Sequence, residues 1–572
     1  MKNFRRYHLF LLTLIMLVMT SKVAFAADTD VAVINSERFG LWTILPPLVA
    51  IVLAFITKNV VISLFVGTLS GCFILQISGS NLFIAIIKSF LDFVQRALNS
   101  LADPWNAGII LQVMAIGGVI SLVSRMGGAK AIAESLAKRA KTPRSAQIIT
   151  WFLGILVFFD DYANSLIVGP IMKPVADKMK ISRERLSFII DATAAPVAGI
   201  AIISTWIGLE VGLIREGFTG IGQNVDAFGV FLSTIPYRFY NILILIFVVT
   251  TSLLLREFGP MRKAEIRARK GNNNSSEEIL MSREMQEEVA VKEGVKLSIW
   301  NAIIPIGALM ISALASFYYS GYTAIMAGED SALQMIMTTS PASFDAIREA
   351  FSASDASVAL FQSALFASIV AIIMAVGKKI FTISEAIDAW IDGMKGLIIT
   401  GVILILAWSL SSVIKELGTA AFLVQLLSDS IPMFLLPSII FLLGAIISFA
   451  TGTAYGTMGI LMPLAIPLSY SISPEMGYVV MSTSAVLTGA IFGDHCSPIS
   501  DTTIMSSMGA GCGHIDHVKT QLPYSIFVAV IAVLFGYIPV GLGMPIWVVL
   551  PLASVIMIGL IYFIGKPVDN VE

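Results

Sequence analysis

Two adjacent carboxylates lie inside an otherwise apolar stretch of this sequence. Asp160 and Asp161 fall within FFDDYANS, and Asn164 and Ser165 follow about one helical turn later. An ionisable side chain at the centre of a bilayer costs roughly 2.5 to 3.5 kcal/mol, so such groups are rare unless they act on ions or protons. These four residues are therefore candidates for binding a small cation or a proton. The alternative is that one carboxylate merely caps a broken helix.

A second polar interruption lies in FATGTAYGTMGILMP, residues 449–463. It has no carboxylate, but Thr451 and Thr453 offer hydroxyl oxygens, with Tyr455 and Thr457 as further hydroxyls. Oxygen ligands beside glycines, where the backbone can be approached closely, suit an alkali cation. The alternative is that these small residues serve helix packing.

A third interruption lies in TGAIFGDHCSPISDTT, residues 488–503. A similar break lies in DATAAPVAGIAIIST, residues 191–205. Backbone groups freed by such breaks need partners, so the breaks cannot face lipid and are expected to line a cavity. Asp494, Ser497 and Asp501 are the candidate cation or proton ligands here. Neighbouring Ser500 and Thr502 are further neutral ligands.

Histidines near the third interruption suggest another chemistry. His495, His514 and His517 cluster in sequence with Cys496 and Cys512, a mixture that transition metals can bind. Their spacing fits no closed zinc pattern, which favours helix-end packing or pH sensing. We expect no cofactor and no metal beyond a transported Na+.

Composition places most of the chain in lipid. Of 572 residues, 56% are hydrophobic and only 13% are charged, so the chain cannot present a water-compatible surface. The net charge of -1 gives no bulk attraction to nucleic acid. The sequence therefore predicts a polytopic membrane protein.

Eleven apolar stretches are long enough to cross a hydrocarbon core of about 30 Å. They cover residues 40–57, 59–78, 106–124, 185–214, 228–255, 297–319, 357–377, 396–414, 476–510, 522–541 and 545–564. Two further stretches, 145–175 and 433–470, are interrupted by polar and small residues and then by Pro170 and Pro463. We expect each to enter the membrane halfway and return as a re-entrant hairpin. The predicted fold class is an all-α polytopic membrane protein with eleven transmembrane helices, two hairpins and discontinuous helices.

The two halves of the chain carry the same pattern about 290 positions apart. Residues of matching type recur at this spacing: Ser121 and Ser411, Val123 and Val413, Arg125 and Lys415, Gly128 and Gly418, Ala131 and Ala421, Leu136 and Leu426, and Phe159 and Phe449. The distribution of Lys and Arg between loops places the two hairpins open to opposite sides of the membrane. We therefore expect two repeats of inverted topology, which is typical of secondary transporters with a site near the bilayer midplane.

The predicted organisation has five parts. They are a cleavable signal peptide at 1–26, a first repeat at 40–255, a cytoplasmic linker at 256–296, a second repeat at 297–541 and an extra transmembrane helix at 545–564. An uncleaved first helix is the alternative for the signal segment. We expect a bacterial inner-membrane protein whose N-terminus lies outside after cleavage and whose C-terminus is cytoplasmic.

Four stretches resemble the NhaC-type Na+/H+ antiporter family, within the superfamily of inverted-repeat ion transporters. They are FFDDYANSLIVGP, IDATAAPVAGIAIISTWIGLE, FATGTAYGTMGILMP and GDHCSPISDTTIMSSMGAGCGHIDHVKTQLPYS. The resemblance extends from about residue 40 to 545. It implies exchange of Na+ for H+ across the inner membrane, with the two hairpin tips and the two breaks as the site. The expected partners are Na+, H+ and membrane lipid; a homodimer is left open.

Other functions remain as alternatives. Some relatives are thought to couple Na+ and H+ to small organic acids such as malate and lactate, and an anion of this kind would use hairpin helix N-termini with Arg238 or Lys173. An intramembrane hydrolase would need Cys496 and His495 to face each other, but adjacent helical residues point about 100° apart. A passive channel is the third alternative. We expect a transporter and not an enzyme.

Overall fold

A computed structural model describes residues 31–57, 59–77, 81–202, 204–272, 291–292, 295–419, 422 and 432–568. The predicted signal peptide at 1–26 and much of the predicted linker lie outside the described residues. Almost all of the remainder is helical.

The helices of the N-terminal half are, in chain order, α1 Val31–Phe39, α2 Leu45–Thr57, α3 Val60–Ile77, α4 Leu82–Ala102, α5 Pro104–Arg125, α6 Gly128–Ala137, α7 Pro143–Leu156, α8 Asp161–Lys178, α9 Arg183–Ala192, α10 Ala195–Ala198, α11 Ile207–Gly220, α12 Ala227–Thr234, α13 Phe239–Leu254 and α14 Gly259–Arg269. Those of the C-terminal half are α15 Trp300–Ala327, α16 Ser331–Thr339, α17 Phe344–Ser352, α18 Ala356–Gly377, α19 Ile383–Gly396, α20 Ile398–Leu417, α21 Leu436–Thr451, α22 Ala454–Ile472, α23 Met476–Cys496, α24 Asp501–Ala510, α25 His514–Ala532, α26 Ile538–Gly541 and α27 Ile546–Ile564. Short 3-10 segments cover Gly40–Ile44, Ile235–Tyr237 and Met433–Leu435, and a π-helical turn covers Val533–Tyr537.

Eleven helical runs among the described residues are long and apolar enough to cross a membrane, which confirms the all-α polytopic fold. Several of these eleven runs are not the stretches predicted as transmembrane helices. The stretch 185–214 is not one continuous helix: α9 stops at Ala192, the short α10 follows, and α11 begins at Ile207, within and after the interruption predicted at 191–205. The stretch 228–255 bends by 45° between α12 and α13, and both arms of the second predicted hairpin are long enough to qualify as spans. Hydropathy detects apolar composition and not backbone continuity. It therefore predicted the number of spans but not which apolar stretches form continuous helices.

Both predicted hairpins are pairs of packed helices, α7 with α8 and α21 with α22. The first pair is broken at residues 157–160 and the second at residues 452–453. Pro170 and Pro463, by contrast, lie inside continuous helices. A proline costs less within the membrane than in a soluble helix, because neighbouring groups satisfy the freed carbonyl. The polar residues therefore mark the breaks, and the prolines do not.

Corresponding helices of the two halves begin at a nearly constant spacing. Asp161 of α8 and Ala454 of α22 are 293 positions apart, and the starts of α9 and α23 have the same spacing. The starts of α11 and α24 are 294 apart. This spacing is close to the 290 positions predicted from sequence, and the division into two repeats of opposite orientation stays a prediction.

The two halves also pack on each other reciprocally. Helix α8 of the first hairpin packs on α24 of the second half, and α22 of the second hairpin packs on α11 of the first half. These are equivalent contacts, since α8 corresponds to α22 and α11 to α24. The first hairpin is thus held by α24, which follows the break of the second half, and the second hairpin is held by α11, which follows the break of the first half.

Glycines allow α8 and α24 to cross closely. A Cβ added to Gly169 would lie 2.6 Å from a backbone carbon of Gly509, and one added to Gly509 would lie 2.4 Å from the carbonyl oxygen of Ser165. The hydroxyl groups of Ser165 and Ser506 lie 3.0 Å apart at the same crossing. Small residues at a membrane helix crossing permit the backbones to approach, and here they bring the two halves together.

The start of the linker lies beside the C-terminal end of the described chain. Strand β1, Arg256–Glu257, pairs antiparallel with β2, Lys566–Pro567. The two segments follow α13 and α27, so these helices end at the same face of the molecule. This pairing is compatible with the prediction that the linker and the C-terminus share one side of the membrane.

Gly169→Ala is expected to destabilise the α8–α24 crossing by about 1–3 kcal/mol, because the added methyl group would meet backbone that no side-chain rotation can move. Thermal unfolding of the purified protein in detergent measures the effect. Gly559→Ala is the matched control, since nothing lies within 4 Å of its added Cβ. Equal unfolding temperatures for the two variants would show that the crossing is loosely packed.

Candidate functional site

The tip of the first hairpin is shaped by Asp160. Its backbone is extended (φ −159°, ψ 131°), and its side chain accepts a hydrogen bond of 2.7 Å from the backbone N–H of Ala163. This is the geometry of a helix N-cap, so the capping alternative holds for Asp160. Asp161, the next residue, is the first residue of α8 and is buried. The adjacent carboxylates therefore differ in their structural role.

Thr453 has the equivalent role in the second hairpin, 293 positions later. Its backbone is also extended (φ −149°, ψ 125°), and its hydroxyl oxygen accepts a hydrogen bond of 3.4 Å from the N–H of Gly456. Gly452 before it has φ +69°, a left-handed conformation that favours glycine. A Cβ at Gly452 would also lie 2.6 Å from the carbonyl oxygen of Ile499.

Each hairpin tip lies against the later break in its own half. In the first half, the backbone N–H of Thr205 donates to the carbonyl oxygen of Phe159 at 3.0 Å. In the second half, Gly452 lies against Ile499, and the Ser497 hydroxyl donates to the Phe449 carbonyl at 2.7 Å. The freed backbone groups of one interruption thus find partners on another, as non-helical backbone at membrane depth requires.

Aromatic side chains connect the two halves across the same region. The Tyr162 hydroxyl, from the first hairpin, donates to a carboxylate oxygen of Asp501 in the second half. The rings of Trp206 and Tyr455 meet edge to face at 4.8 Å, which joins the first break to the second hairpin. Tyr162 and Tyr455 are 293 positions apart, so equivalent tyrosines make both connections.

The two hairpin tips and the two breaks enclose a cavity of about 150 Å³. This volume accommodates several water molecules or an ion with part of its hydration shell. The start of α20 forms a further wall. The lining residues are Asp160, Asp161, Tyr162, Thr205, Trp206, Gly396, Leu397, Ile399, Thr400, Ile403, Thr453, Ala454, Tyr455, Asp494, Asp501 and Thr502.

Four of the lining residues are aspartates, and none of the described lining residues is basic. Asp160, Asp161 and Asp494 are 8%, 6% and 3% exposed. Asp494 accepts a hydrogen bond of 2.7 Å from the Ser500 hydroxyl, which lies 2.9 Å from the hydroxyl of Thr502. Three of the four carboxylates are thus buried around one space without a basic residue among its described lining, an arrangement that is costly unless protons or cations offset the charge. The cavity is therefore suited to holding protons or small cations.

Five of the nine predicted site residues line this cavity: Asp160, Asp161, Thr453, Asp494 and Asp501. The other four lie nearby but make packing contacts: Asn164, Ser165, Thr451 and Ser497. The amide nitrogen of Asn164 donates to the carbonyls of Gly154 and Thr193, at 3.1 Å and 2.6 Å. Asn164 thus ties the first hairpin to the end of α9.

Some lining residues were not predicted from the sequence. Tyr162 is one of them, although it corresponds to Tyr455, and the spacing of 293 residues between the two tyrosines is the signal that could have identified it. Trp206 follows an interruption that was recognised, but it was not counted as a site residue. Thr400 and its neighbours on α20 lie in an uninterrupted apolar segment, so no local feature marks them.

The three histidines considered for a transition-metal site each have a different hydrogen-bond partner. His495 bonds the Tyr240 hydroxyl at 2.7 Å, His514 bonds the Pro498 carbonyl at 2.7 Å, and His517 pairs with a carboxylate at 3.1 Å. Over the described ranges, no three His, Cys, Asp or Glu side chains are grouped closely enough to hold a metal ion. The transition-metal alternative finds no support.

Arg238 is not available to an anionic substrate in this conformation. Its guanidinium pairs with Glu210 at 2.7 Å, bonds the Thr234 hydroxyl and donates to the carbonyl of Gly199. Both charged side chains are fully buried. The ion pair, together with the bond to Gly199, fixes the backbone that follows α10.

The family model described as the Na+/H+ antiporter family matches residues 4–201 and 197–542. An uncharacterized protein of Haemophilus influenzae is 32% identical over 506 residues, which is 88% of this chain and 91% of that protein.

Two relatives match over shorter regions. A Haemophilus influenzae protein named as an uncharacterized Na+/H+ antiporter is 36% identical over 113 residues, 18% of this chain and 22% of that protein. The malate-2H+/Na+-lactate antiporter of Bacillus subtilis is 36% identical over 104 residues, 18% of this chain and 21% of that protein.

Two substitutions separate the capping and charge roles of Asp160. Asp160→Asn retains a capping oxygen and is expected to leave thermal stability unchanged, whereas Asp160→Ala is expected to lower it by about 1 kcal/mol. Thermal unfolding of both purified variants in detergent tests this. If Asp160→Asn is as unstable as Asp160→Ala, the negative charge rather than the cap stabilises the hairpin.

Arg238→Leu is expected to destabilise the protein by about 3–5 kcal/mol, because it leaves Glu210 as an unpaired buried charge. The double variant Arg238→Leu/Glu210→Leu removes both charges and should recover most of that loss. Thermal unfolding of wild type, both single variants and the double variant forms the cycle. A double variant no more stable than Arg238→Leu would show that the contacts to Thr234 and Gly199 matter more than the ion pair.

Proposed function

Because this chain belongs to the Na+/H+ antiporter family, we propose that it exchanges Na+ for H+ across the membrane by alternating access. The family and the membrane-spanning helices establish it as a multi-pass membrane transporter. We propose the bacterial inner membrane as its location, with the linker and the C-terminus in the cytoplasm. We further propose that the two halves are inverted repeats that move relative to each other.

The observation that supports this proposal best is the charge of the cavity. Four carboxylates from both hairpin-and-break units face one small space, and no arginine or lysine of the described chain lines it. Without counter-charge, such a group resists full ionisation, so it retains protons or takes up a cation. The cavity thus favours positively charged cargo over an anion.

Exchange follows from competition for these oxygens. Na+ is coordinated by carboxylate and hydroxyl oxygens, for which Asp161, Asp494, Asp501 and Thr453 are the proposed ligands. Binding of Na+ stabilises the ionised carboxylates and releases protons, while protonation removes the negative charge that holds Na+. A transporter that changes its open side only when either cargo is bound would convert one gradient into the other.

Transport of a small organic acid is the second candidate. It is favoured by the local similarity to a malate-2H+/Na+-lactate antiporter. The cavity offers an organic anion mainly the N-terminal ends of α8 and α22, where backbone N–H groups attract negative charge. Arg238, the basic residue that sequence suggested for this role, is engaged with Glu210. A carboxylate substrate would need to enter with Na+ or H+ to offset the aspartates.

Asp161→Asn is expected to abolish Na+-driven proton movement while the protein still folds, because the variant cannot gain or lose the proton at this position. Proteoliposomes containing a pH-sensitive dye and challenged with a Na+ gradient measure the flux. Asp388→Asn is the control, since Asp388 is exposed on α19, away from the cavity. Wild-type flux in Asp161→Asn would remove this carboxylate from the exchange step.

The same liposomes distinguish the two candidate functions. Proton movement driven by Na+ alone supports exchange of the two ions, whereas a strict requirement for malate or lactate supports the organic-acid alternative. Monitoring flux with each acid inside, outside and absent covers both directions of transport.

A further inference from the structure

A second group of titratable residues lies outside the cavity, where α9 meets α25. The His517 ring nitrogen Nε2 lies 3.1 Å from Oδ2 of Asp191. The Gln521 amide nitrogen donates to the same carboxylate oxygen at 2.8 Å. All three side chains are fully buried, and none belongs to the cavity lining.

Several polar atoms of this group have no protein partner among the described residues. They are Oδ1 of Asp191, Nδ1 of His517 and Oε1 of Gln521, each shielded from bulk solvent. Buried polar atoms in native proteins are generally satisfied, so unpaired atoms call for a specific explanation. Here they comprise acceptors and an imidazole nitrogen around one carboxylate, which is the chemistry that binds and releases a proton.

The group is physically connected to the cavity. Besides Asp191, the Gln521 amide nitrogen also donates to the backbone carbonyl of His495 at the end of α23. His495 follows Asp494, which lines the cavity. Asp191 lies near the end of α9, directly before the first-half break. Gln521 therefore links the Asp191 carboxylate to the backbone next to Asp494, a cavity residue.

Other ionisable groups surround Asp191 on the neighbouring helices. They are His495, Cys496 and Asp494 on α23, Asp501 on α24 and Tyr240 on α13. The His495 ring is itself held by the Tyr240 hydroxyl at 2.7 Å and lies 3.4 Å from the Ser525 hydroxyl. Among the described ionisable groups near Asp191, only His517 pairs directly with its carboxylate. Asp191 and His517 therefore form the core of the group.

We propose that Asp191 and His517 form a second proton-binding site, which lies outside the cavity and sets the pH dependence of transport. Its ligand is a proton taken up at Nδ1 of His517, the imidazole nitrogen without a described protein partner, while Nε2–H continues to donate to Oδ2 of Asp191. Gain or loss of that proton changes the charge beside the α9 break and acts on the carboxylate oxygen shared with Gln521, which also holds the backbone next to Asp494. The role assigned to this site rests on the proposed exchange function, although proton binding itself can be measured separately.

The first test is the pH profile of Na+-driven proton flux in proteoliposomes. His517→Gln and Asp191→Asn are each expected to shift the pH of half-maximal flux by about one unit or more, while the KM for Na+ at the plateau stays unchanged. The double variant should shift it no further than either single variant, because one shared site has been removed. His514→Gln is the matched control on the same helix, since its ring bonds the Pro498 carbonyl instead.

A second test requires neither transport nor a folded variant of the pair. Full-length wild-type protein labelled with 15N-histidine is titrated in detergent, and the His517 signal is assigned by replacing the other histidines one at a time. The His517 ring is expected to change protonation state within the pH range over which flux changes.

The outcomes separate the two proposals. The regulatory site would be overturned if the flux profiles of both variants superimpose on the wild-type profile. It would also be overturned if their flux falls uniformly at every pH without a shift of the half-maximal pH. A His517 ring with one protonation state from about pH 5 to about pH 9 would overturn it as well. A titrating His517 in a wild-type protein that shows no Na+-driven flux would support proton binding and reject the exchange function.

Discussion

The requirement that broken backbone find partners inside the membrane governs this structure. Each hairpin leaves peptide groups without helical hydrogen bonds, and within a membrane such groups need partners from the protein or from a cavity. The bond from Thr205 to Phe159 and the contact of Gly452 with Ile499 bring one interruption against another. The cavity forms where these interruptions gather, and so the polar side chains that caused the breaks come to surround it.

Electrostatics then limits what the cavity can contain. Aspartates that are buried together are tolerated only when protons or cations offset their charge, and the buried Arg238 is already neutralised by Glu210. The aromatic contacts made by Tyr162 and Tyr455 join elements of opposite halves around this space. A change in the occupancy of the cavity is therefore felt directly by both halves of the molecule.

Much of this arrangement could be predicted from the sequence, because a polar residue inside an apolar run is visible in one dimension. The aspartate pair, the threonine-rich interruption and the later GDHCSPISD break were found in this way. The sequence could not show which face of a helix meets the cavity: Asn164, one turn beyond Asp160, bonds the Thr193 carbonyl instead. Nor could it reveal Thr400, whose helix has no local irregularity, or the 45° bend that divides 228–255, since hydropathy does not register backbone direction.

The reciprocal packing of each hairpin on a helix of the other half has an evolutionary implication. Because α8 rests on α24 and α22 rests on α11, neither half alone encloses the cavity. If the chain arose by gene duplication, a half-length ancestor would have needed to associate with a second copy of itself to build a complete chamber. Joining the two copies in one polypeptide would have made that association independent of protein abundance and left each copy at liberty to diverge, as the aspartates of one hairpin and the threonines of the other have done.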